Sequence, residues 1–233
     1  MFWQYRLVGA DATDWLQGQI TQDISELSGQ PGRWFALCTP TGHIQCAGVV
    51  WAESAGLGVA VDVGAREVLE ERVRTHVILE DVQLEAVGPA EMDASFAVAT
   101  APGTGLDGEA LFRRGFPIAG KDYDGKVLCS ELGEAFLDRA VSYTKGCYPG
   151  QEIIQRIKTR GHTNRTWRAL EALGPVSAGD AVTMQGVQVG VVSWVPAEGL
   201  ASAILRNEIK VGSEVMVNGF PAQVRAIPLS YSP

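Results

Sequence analysis

The feature that most constrains the fold is the alternation of short apolar runs with turn-forming residues along most of the chain. The 233 residues include 27 glycines and 11 prolines. No apolar run approaches the roughly 18 residues that a membrane helix needs. Short β-prone runs separated by such turns favour strands over a helical bundle. We therefore predict an α+β protein with antiparallel sheets and no membrane-spanning segment.

The first ninety residues predict one α+β layer, in the order strand, helix, three-stranded meander, helix and strand. The ranges are Tyr5–Val8, a helix capped by Asp11 or Thr13, Arg33–Cys38, His43–Trp51, Leu57–Val63, a helix over Ala65–Val73, and Val77–Val87. The same order suggests a similar second layer over residues 91–165. Its strand is predicted at Ser95–Thr100 and its helix at Glu131–Ala140.

The texture changes after Thr166, where about six short runs are broken by glycine-containing turns. The pair Asn218-Gly219 is a strong hairpin signal. Many short strands in so small a span are typical of a small barrel. We therefore predict a domain over residues 1–165, made of subdomains of approximately 1–90 and 91–165, and a C-terminal β-barrel over 166–233.

The chain is acidic, with 19 basic and 27 acidic residues and a net charge of −8. A general nucleic-acid binder needs a basic stripe, so direct tRNA binding is not expected. The basic residues cluster between Lys145 and Arg168, where the sequence has six cationic residues and one acidic residue, Glu152. Such a run predicts an anionic ligand, although a cationic helix face is more often only solvated.

Cys147 lies inside this basic run, between Gly146 and Gly150 and shortly before a predicted helix. The helix dipole and Lys145 would favour its thiolate, the reactive form. The alternative is that Cys147 is a small buried hydrophobe. The other cysteines add neither a disulfide framework nor a zinc pattern, which favours a reducing cytoplasm.

The octapeptide Lys-Gly-Cys-Tyr-Pro-Gly-Gln-Glu at 145–152, with Arg156, resembles the signature of the YgfZ family. These are folate-binding proteins related to the T-protein, the aminomethyltransferase of the glycine cleavage system. A Leu-Gln-Gly-Gln segment at 16–19 and the C-terminal barrel extend the resemblance along the chain. The resemblance implies a T-protein-like fold and tetrahydrofolate, or another reduced folate, as cofactor. It also implies a role in assembly or repair of iron-sulfur clusters in client enzymes, including one that modifies tRNA.

The resemblance also implies roles for the residues of the octapeptide. Cys147 would be a reactive thiol or a transient ligand, and a folate would lie between the two layers. In the cofactor-binding segment, Lys145 and Arg156 would set the electrostatics, and Gln151 and Glu152 would orient neighbouring groups. Tyr148 would cover an aromatic ring or pack. Gly146 and Gly150 would let the backbone approach closely. One cysteine cannot hold a conventional cluster, so no resident metal is predicted.

One departure from the T-protein pattern bears on activity. That pattern has a Gly-Gly-Ile run followed by paired aspartates, whereas this chain has Cys46 and Ala47 at the corresponding place. Without a carboxylate there, a proton cannot be handled and a cationic folate amine cannot be stabilised. We therefore predict that the chain does not transfer aminomethyl groups to tetrahydrofolate. The alternative is a folate-dependent one-carbon transferase or demethylase that uses Cys147 or Glu152.

Overall fold

The computed structural model describes residues 1–29, 31–98 and 103–229, and its first ninety residues form an antiparallel sheet. The strands are β1 (Phe2–Val8), β2 (Arg33–Cys38), β3 (Ile44–Glu53), β4 (Gly56–Asp62) and β5 (Gln83–Ala90). Their order in the sheet is β2-β3-β4-β1-β5. Two helices complete this layer, α1 (Ala12–Gln17) and α2 (Arg66–His76).

Both faces of the sheet are buried, as strand β2 shows. Its alternate residues Trp34, Ala36 and Cys38 enter one core, while Phe35 and Leu37 enter the other. Side chains on a strand point to opposite faces in turn, so a run that is apolar throughout needs a cover on each side. Helices α1 and α2 cover the second of these cores, through residues such as Trp15, Leu16 and Leu69.

Helices rather than a second sheet cover the other face. They are α3 (Gly108–Arg114), a 3₁₀ turn at Cys129–Leu132, α4 (Glu134–Ala140) and α5 (Gln151–Arg160). The described residues between 91 and 164 contain no strand longer than an isolated bridge. The second layer, which was predicted to be α+β like the first, is therefore a helical layer over its described residues.

The strand predicted at Ser95–Thr100 is not observed over its described residues, 95–98, and Ala99 and Thr100 lie outside them. The reason is the side chain of Asp93. Its Oδ1 accepts hydrogen bonds from the backbone nitrogens of Ser95 and Ala97, at 2.7 and 3.2 Å. An aspartate that binds its own backbone in this way stabilises a turn in place of a strand.

The C-terminal residues form a closed six-stranded barrel, as predicted. The strands are β6 (Arg165–Ala172), β7 (Ala181–Met184), β8 (Val187–Ala197), β9 (Leu200–Arg206), β10 (Glu214–Val217) and β11 (Phe220–Arg225), in the order β10-β11-β6-β9-β8-β7. Asn218 and Gly219 join β10 to β11 with positive φ at both positions, the backbone of a tight hairpin. The predicted α+β class with a C-terminal barrel is confirmed, and the division into domains and subdomains stays a prediction.

A buried carboxylate attaches the barrel to the helical layer. Asp122, in the loop after α3, accepts hydrogen bonds from Trp167 Nε1 at 3.1 Å, Trp194 Nε1 at 2.7 Å and Ser202 Oγ at 2.6 Å. Burial raises the pKa of Asp122 to about 6, while these donors and the Ile118 amide favour the ionised form. The barrel is therefore held to the rest of the chain by a polar anchor inside an apolar core.

Candidate functional site

Helix α5 begins where Gly150 makes a close approach to the turn between β2 and β3. Its φ is +87°, and a Cβ at this position would lie 2.8 Å from the carbonyl oxygen of Thr39. Both the left-handed backbone and the contact exclude larger residues. The turn before the helix is therefore fixed against the sheet, and it carries Cys147 with it.

Cys147 is exposed, whereas Cys38, Cys46 and Cys129 are buried. Interaction with the Cys129 thiol, together with burial, raises the pKa of Cys38. The alternative of a packed hydrophobe therefore describes those three cysteines and not Cys147. An exposed thiol is accessible to a partner or reagent, which a reactive or ligating role requires.

Lys145 is 8% exposed and its ammonium is bound by another part of the chain. The Nζ atom donates to the backbone carbonyl oxygens of Gln17, Ile20 and Gln22. Burial lowers the pKa of Lys145 to about 8, and Asp23 opposes this effect. An ammonium has three N–H donors, and all three are used. Lys145 therefore has no N–H donor left for a cofactor, and its predicted electrostatic role stays a prediction.

The other predicted residues of the octapeptide do not converge on one cavity. Tyr148 is 6% exposed and packs in the core beneath the sheet, so it packs instead of covering an open ring site. Gln151 Nε2 donates to the carbonyl oxygen of Lys145 at 3.2 Å, which holds the turn. Gly146 and Glu152 of the octapeptide are exposed, and so is Arg156 beyond it.

A cavity of about 690 Å³ lies on another side of α5, bounded by α4, α5 and the start of the barrel. Its apolar and aromatic lining includes Leu137, Tyr143, Ile154, Ile157 and Trp167. Its polar lining includes Glu134, Lys158, His162, Thr166, Arg168 and Asn207. The expected cavity was between two α+β layers, whereas this one lies between the helical layer and the barrel.

Cationic groups and an aromatic ring meet in this cavity. Lys158 Nζ lies 5.1 Å from the ring centroid of Tyr143, and burial raises the pKa of Tyr143 to about 12. Arg168 Nη1 donates to Thr166 Oγ1 and to the carbonyl oxygen of Trp167, each at 3.2 Å. Its Nε is buried and, in the described part of the chain, has no hydrogen-bond partner. The cavity therefore offers an aromatic surface beside two cationic side chains, one of which has a buried N–H donor without a partner in the described part of the chain.

The octapeptide is the site that the sequence predicts, and no sequence motif marks the cavity between the helical layer and the barrel. The basic run from Lys145 to Arg168 was the one available signal, because Lys158 and Arg168 belong to it. The structure disperses the six cations of that run. Arg165, for example, forms an ion pair with Glu131 at 2.9 Å, while Lys158 and Arg168 reach the cavity. Residue spacing does not predict this cavity, because its lining residues are as far apart in the chain as Ser130 and Ile227.

No protein-family model matches the chain. It is 25% identical over 300 aligned residues to the tRNA-modifying protein YgfZ of Yersinia pestis strain Pestoides F, covering 97% of this chain and 89% of that protein. The chain is YgfZ-like. An uncharacterized Haemophilus influenzae protein is 25% identical over 193 residues, covering 70% of this chain and 69% of that protein.

The fold of this YgfZ-like chain is that of the T-protein. The glycine cleavage system aminomethyltransferase T from Bartonella henselae superposes with a TM-score of 0.79, at 13% identity. The match covers 98% of this chain and 84% of the other. The predicted resemblance to YgfZ and to the T-protein fold is therefore confirmed.

At the place where the T-protein pattern has aspartates, the YgfZ-like chain has two fully buried residues on β3. Cys46 and Ala47 both have 0% exposure, and the Ala47 amide donates to Tyr123 Oη at 2.9 Å. Neither side chain is a carboxylate.

Within the described ranges, no three His, Cys, Asp or Glu residues are grouped to hold a metal ion. In that same part, no helix has the length and apolarity to cross a bilayer.

Proposed function

We propose that this chain is a folate-binding accessory protein that supports the assembly or repair of iron-sulfur clusters in client enzymes, including tRNA-modifying ones. The observation that carries the proposal is the pairing of an exposed thiol, Cys147, with a cavity along the helix that follows it. The relatives that carry the name tRNA-modifying protein YgfZ support the link to tRNA modification.

The residues of the cavity fit a reduced folate. A volume of about 690 Å³ is in the range of small-molecule sites, and the lining combines polar and apolar groups. Tyr143 supplies an aromatic surface, and Lys158 and Arg168 supply donors for an acidic group. The buried Nε of Arg168 lacks a partner, as expected of a group that awaits a ligand. When bound, a reduced folate would act as a carrier of one-carbon units.

Cys147 is not part of the cavity lining, so its role is separate from holding the folate. A single thiolate supplies one of the four ligands that a conventional cluster takes. We infer that Cys147 acts as a transient ligand or reactive thiol toward a cluster held by a client enzyme or by the assembly machinery. The four free cysteines support action in a reducing cytoplasm. Nothing in this role requires direct contact with RNA.

The alternative is a folate-dependent one-carbon transferase or demethylase. The buried Cys46 and Ala47 count against it, because they leave β3 without a carboxylate at that place. Glu152 is exposed on α5 and does not line the cavity, which also counts against a role for it in folate chemistry. Tetrahydrofolate-dependent cleavage of an aminomethyl donor, or turnover of a methylated amine with folate, would establish this alternative instead.

The proposed function is tested by the iron and acid-labile sulfide content of an iron-sulfur tRNA-modifying enzyme. That enzyme is purified from cells that lack their own YgfZ and that express this chain or its Cys147→Ala variant. We expect cluster occupancy to fall in the variant toward the level of cells with neither protein. Thr144→Ala, an exposed change in the same loop, is the matched control and should retain occupancy. Equal occupancy with Cys147→Ala and wild type would overturn the role of the thiol.

A further inference from the structure

We propose that the end of the cavity at Arg168 is an oxyanion subsite, which binds a carboxylate or phosphate group of a small ligand. The proposal deepens the proposed function, and it rests on that function only for the view that the ligand is a folate with a carboxylate tail. The subsite itself is argued from the contacts of Arg168 and from the residues around it.

Arg168 is held in place but is only partly satisfied. Two hydrogen bonds from Nη1, to Thr166 Oγ1 and to the Trp167 carbonyl, fix the guanidinium at the cavity wall. The Nε atom is buried without a partner in the described part of the chain. Leaving a buried charged donor unpaired is costly, so the fold tolerates here an arrangement that a bound oxyanion would complete.

Another arginine of the barrel, Arg225, differs from Arg168 in having an ion-pair partner. Arg225 lies on β11, and its guanidinium forms an ion pair with Glu171 at 2.7 Å. Arg168 has a carboxylate in the same cavity, that of Glu134, but the two groups form no ion pair among the described residues. A planar guanidinium matches a carboxylate or phosphate in two parallel hydrogen bonds. The missing partner of Arg168 is therefore best supplied from outside the chain.

The surroundings add further donors for an anion. Lys158, His162 and Asn207 line the same cavity, and Glu134 is the acidic residue among its lining groups. Tyr143 and Trp167 make its wall partly aromatic. A ligand with a flat ring and an acidic tail would match both parts, with the ring on the aromatic wall and the tail at Arg168.

The test is an NMR titration of the Arg168 Nε–H signal in the full-length protein. The probes are glutarate, inorganic phosphate and tetrahydrofolate, the last under anaerobic conditions. We expect a saturable shift of this signal in the wild type. We expect Arg168→Met to bind the probes about tenfold or more weakly, because the substitution removes a charge-assisted hydrogen bond. Arg206→Met, an exposed change on the same barrel, is the control and should bind as the wild type does. If Arg168→Met fails to fold, the titration of the wild type still decides.

The outcomes separate the subsite from the proposed function. A shift with glutarate or phosphate but no binding of tetrahydrofolate would support the subsite and overturn the folate assignment. Binding of tetrahydrofolate without a shift at Arg168, and with equal affinity in Arg168→Met, would overturn the subsite and leave the folate assignment intact. No shift with any of the three probes, together with no folate binding, would overturn both. Stronger binding of glutarate than of phosphate would identify a carboxylate as the natural group.

Discussion

The ammonium nitrogen of Lys145 lies 2.8 Å from the carbonyl oxygen of Ile20. This contact joins the octapeptide at 145–152 to the residue that directly follows the Leu-Gln-Gly-Gln segment at 16–19, the other segment that resembles YgfZ. Two further hydrogen bonds from the same ammonium reach the carbonyls of Gln17 and Gln22. The two motifs are therefore one structural unit, in which the lysine binds the carbonyl-rich end of a short helix.

Replacing Lys145 by methionine should destabilise the fold by about 1–3 kcal/mol. The loss of three charge-assisted hydrogen bonds outweighs relief from burying the ammonium, and it leaves buried carbonyls without a donor. Urea unfolding at pH 7 measures the change. Lys126→Met is the control, since the Lys126 side chain is 87% exposed and should tolerate the change. Equal stability of Lys145→Met and wild type would show that these hydrogen bonds contribute nothing net.

Two glycines of the octapeptide should respond very differently to alanine. Gly150→Ala should cost about 2 kcal/mol or more, because alanine is strained at φ +87° and its Cβ would lie 2.8 Å from the Thr39 carbonyl oxygen. At Gly146 an added Cβ would meet no atom within 4 Å, so Gly146→Ala should change stability little. Thermal unfolding of both variants tests this pair, and similar losses in both would contradict the assigned backbone contact.

The stability of the protein should carry a pH dependence from Asp122. The folded pKa is about 6, raised from the ordinary 3.8, so the contribution of this carboxyl is full below pH 3.8 and is lost as pH rises through 6. Relative to Asp122→Asn, the wild type should lose up to about 3 kcal/mol between pH 4 and pH 7. Unfolding followed by Trp167 and Trp194 fluorescence measures the difference. A difference that stays constant across this range would contradict the raised pKa.

Much of the first layer could be predicted from the sequence because its signals are local. Strand β2 was expected and found over Arg33–Cys38, and the hairpin at Asn218-Gly219 was expected from the turn chemistry of that pair. The strand at Ser95–Thr100 was wrong over its described residues, because Asp93 captures the backbone in a turn. There an apolar run competed with a side chain two residues before it.

The site was harder to predict because its parts are distant in the chain. Lys145 looked like a group that acts on its neighbour Cys147, but its hydrogen-bond acceptors lie more than 120 residues away. Arg168 was one of six cations in the basic run, and only tertiary packing decides that it lines the cavity while its Nε is buried without a partner in the described part of the chain. Charge and spacing mark a segment, whereas tertiary contacts decide which charges remain unsatisfied.

A thiol-specific reagent should distinguish Cys147 from the other cysteines. In the folded protein one thiol should react rapidly, and after denaturation all four should react, because Cys38, Cys46 and Cys129 are buried. Cys147→Ser should abolish the rapid phase while leaving the slow reaction of the others. The absorbance of the released reporter gives the count. A rapid phase that survives in Cys147→Ser would show that a buried cysteine is transiently open.

Anaerobic calorimetry with tetrahydrofolate on four proteins tests most directly whether the folate cavity is separate from the thiol. We predict equal binding by the wild type, by Cys147→Ala, and by Thr159→Trp, an exposed change on α5. We predict loss of binding in Ile157→Trp, where a large side chain would fill the cavity. Absence of binding in the wild type, or loss of binding in Cys147→Ala with retention in Ile157→Trp, would contradict a folate cavity separate from the thiol.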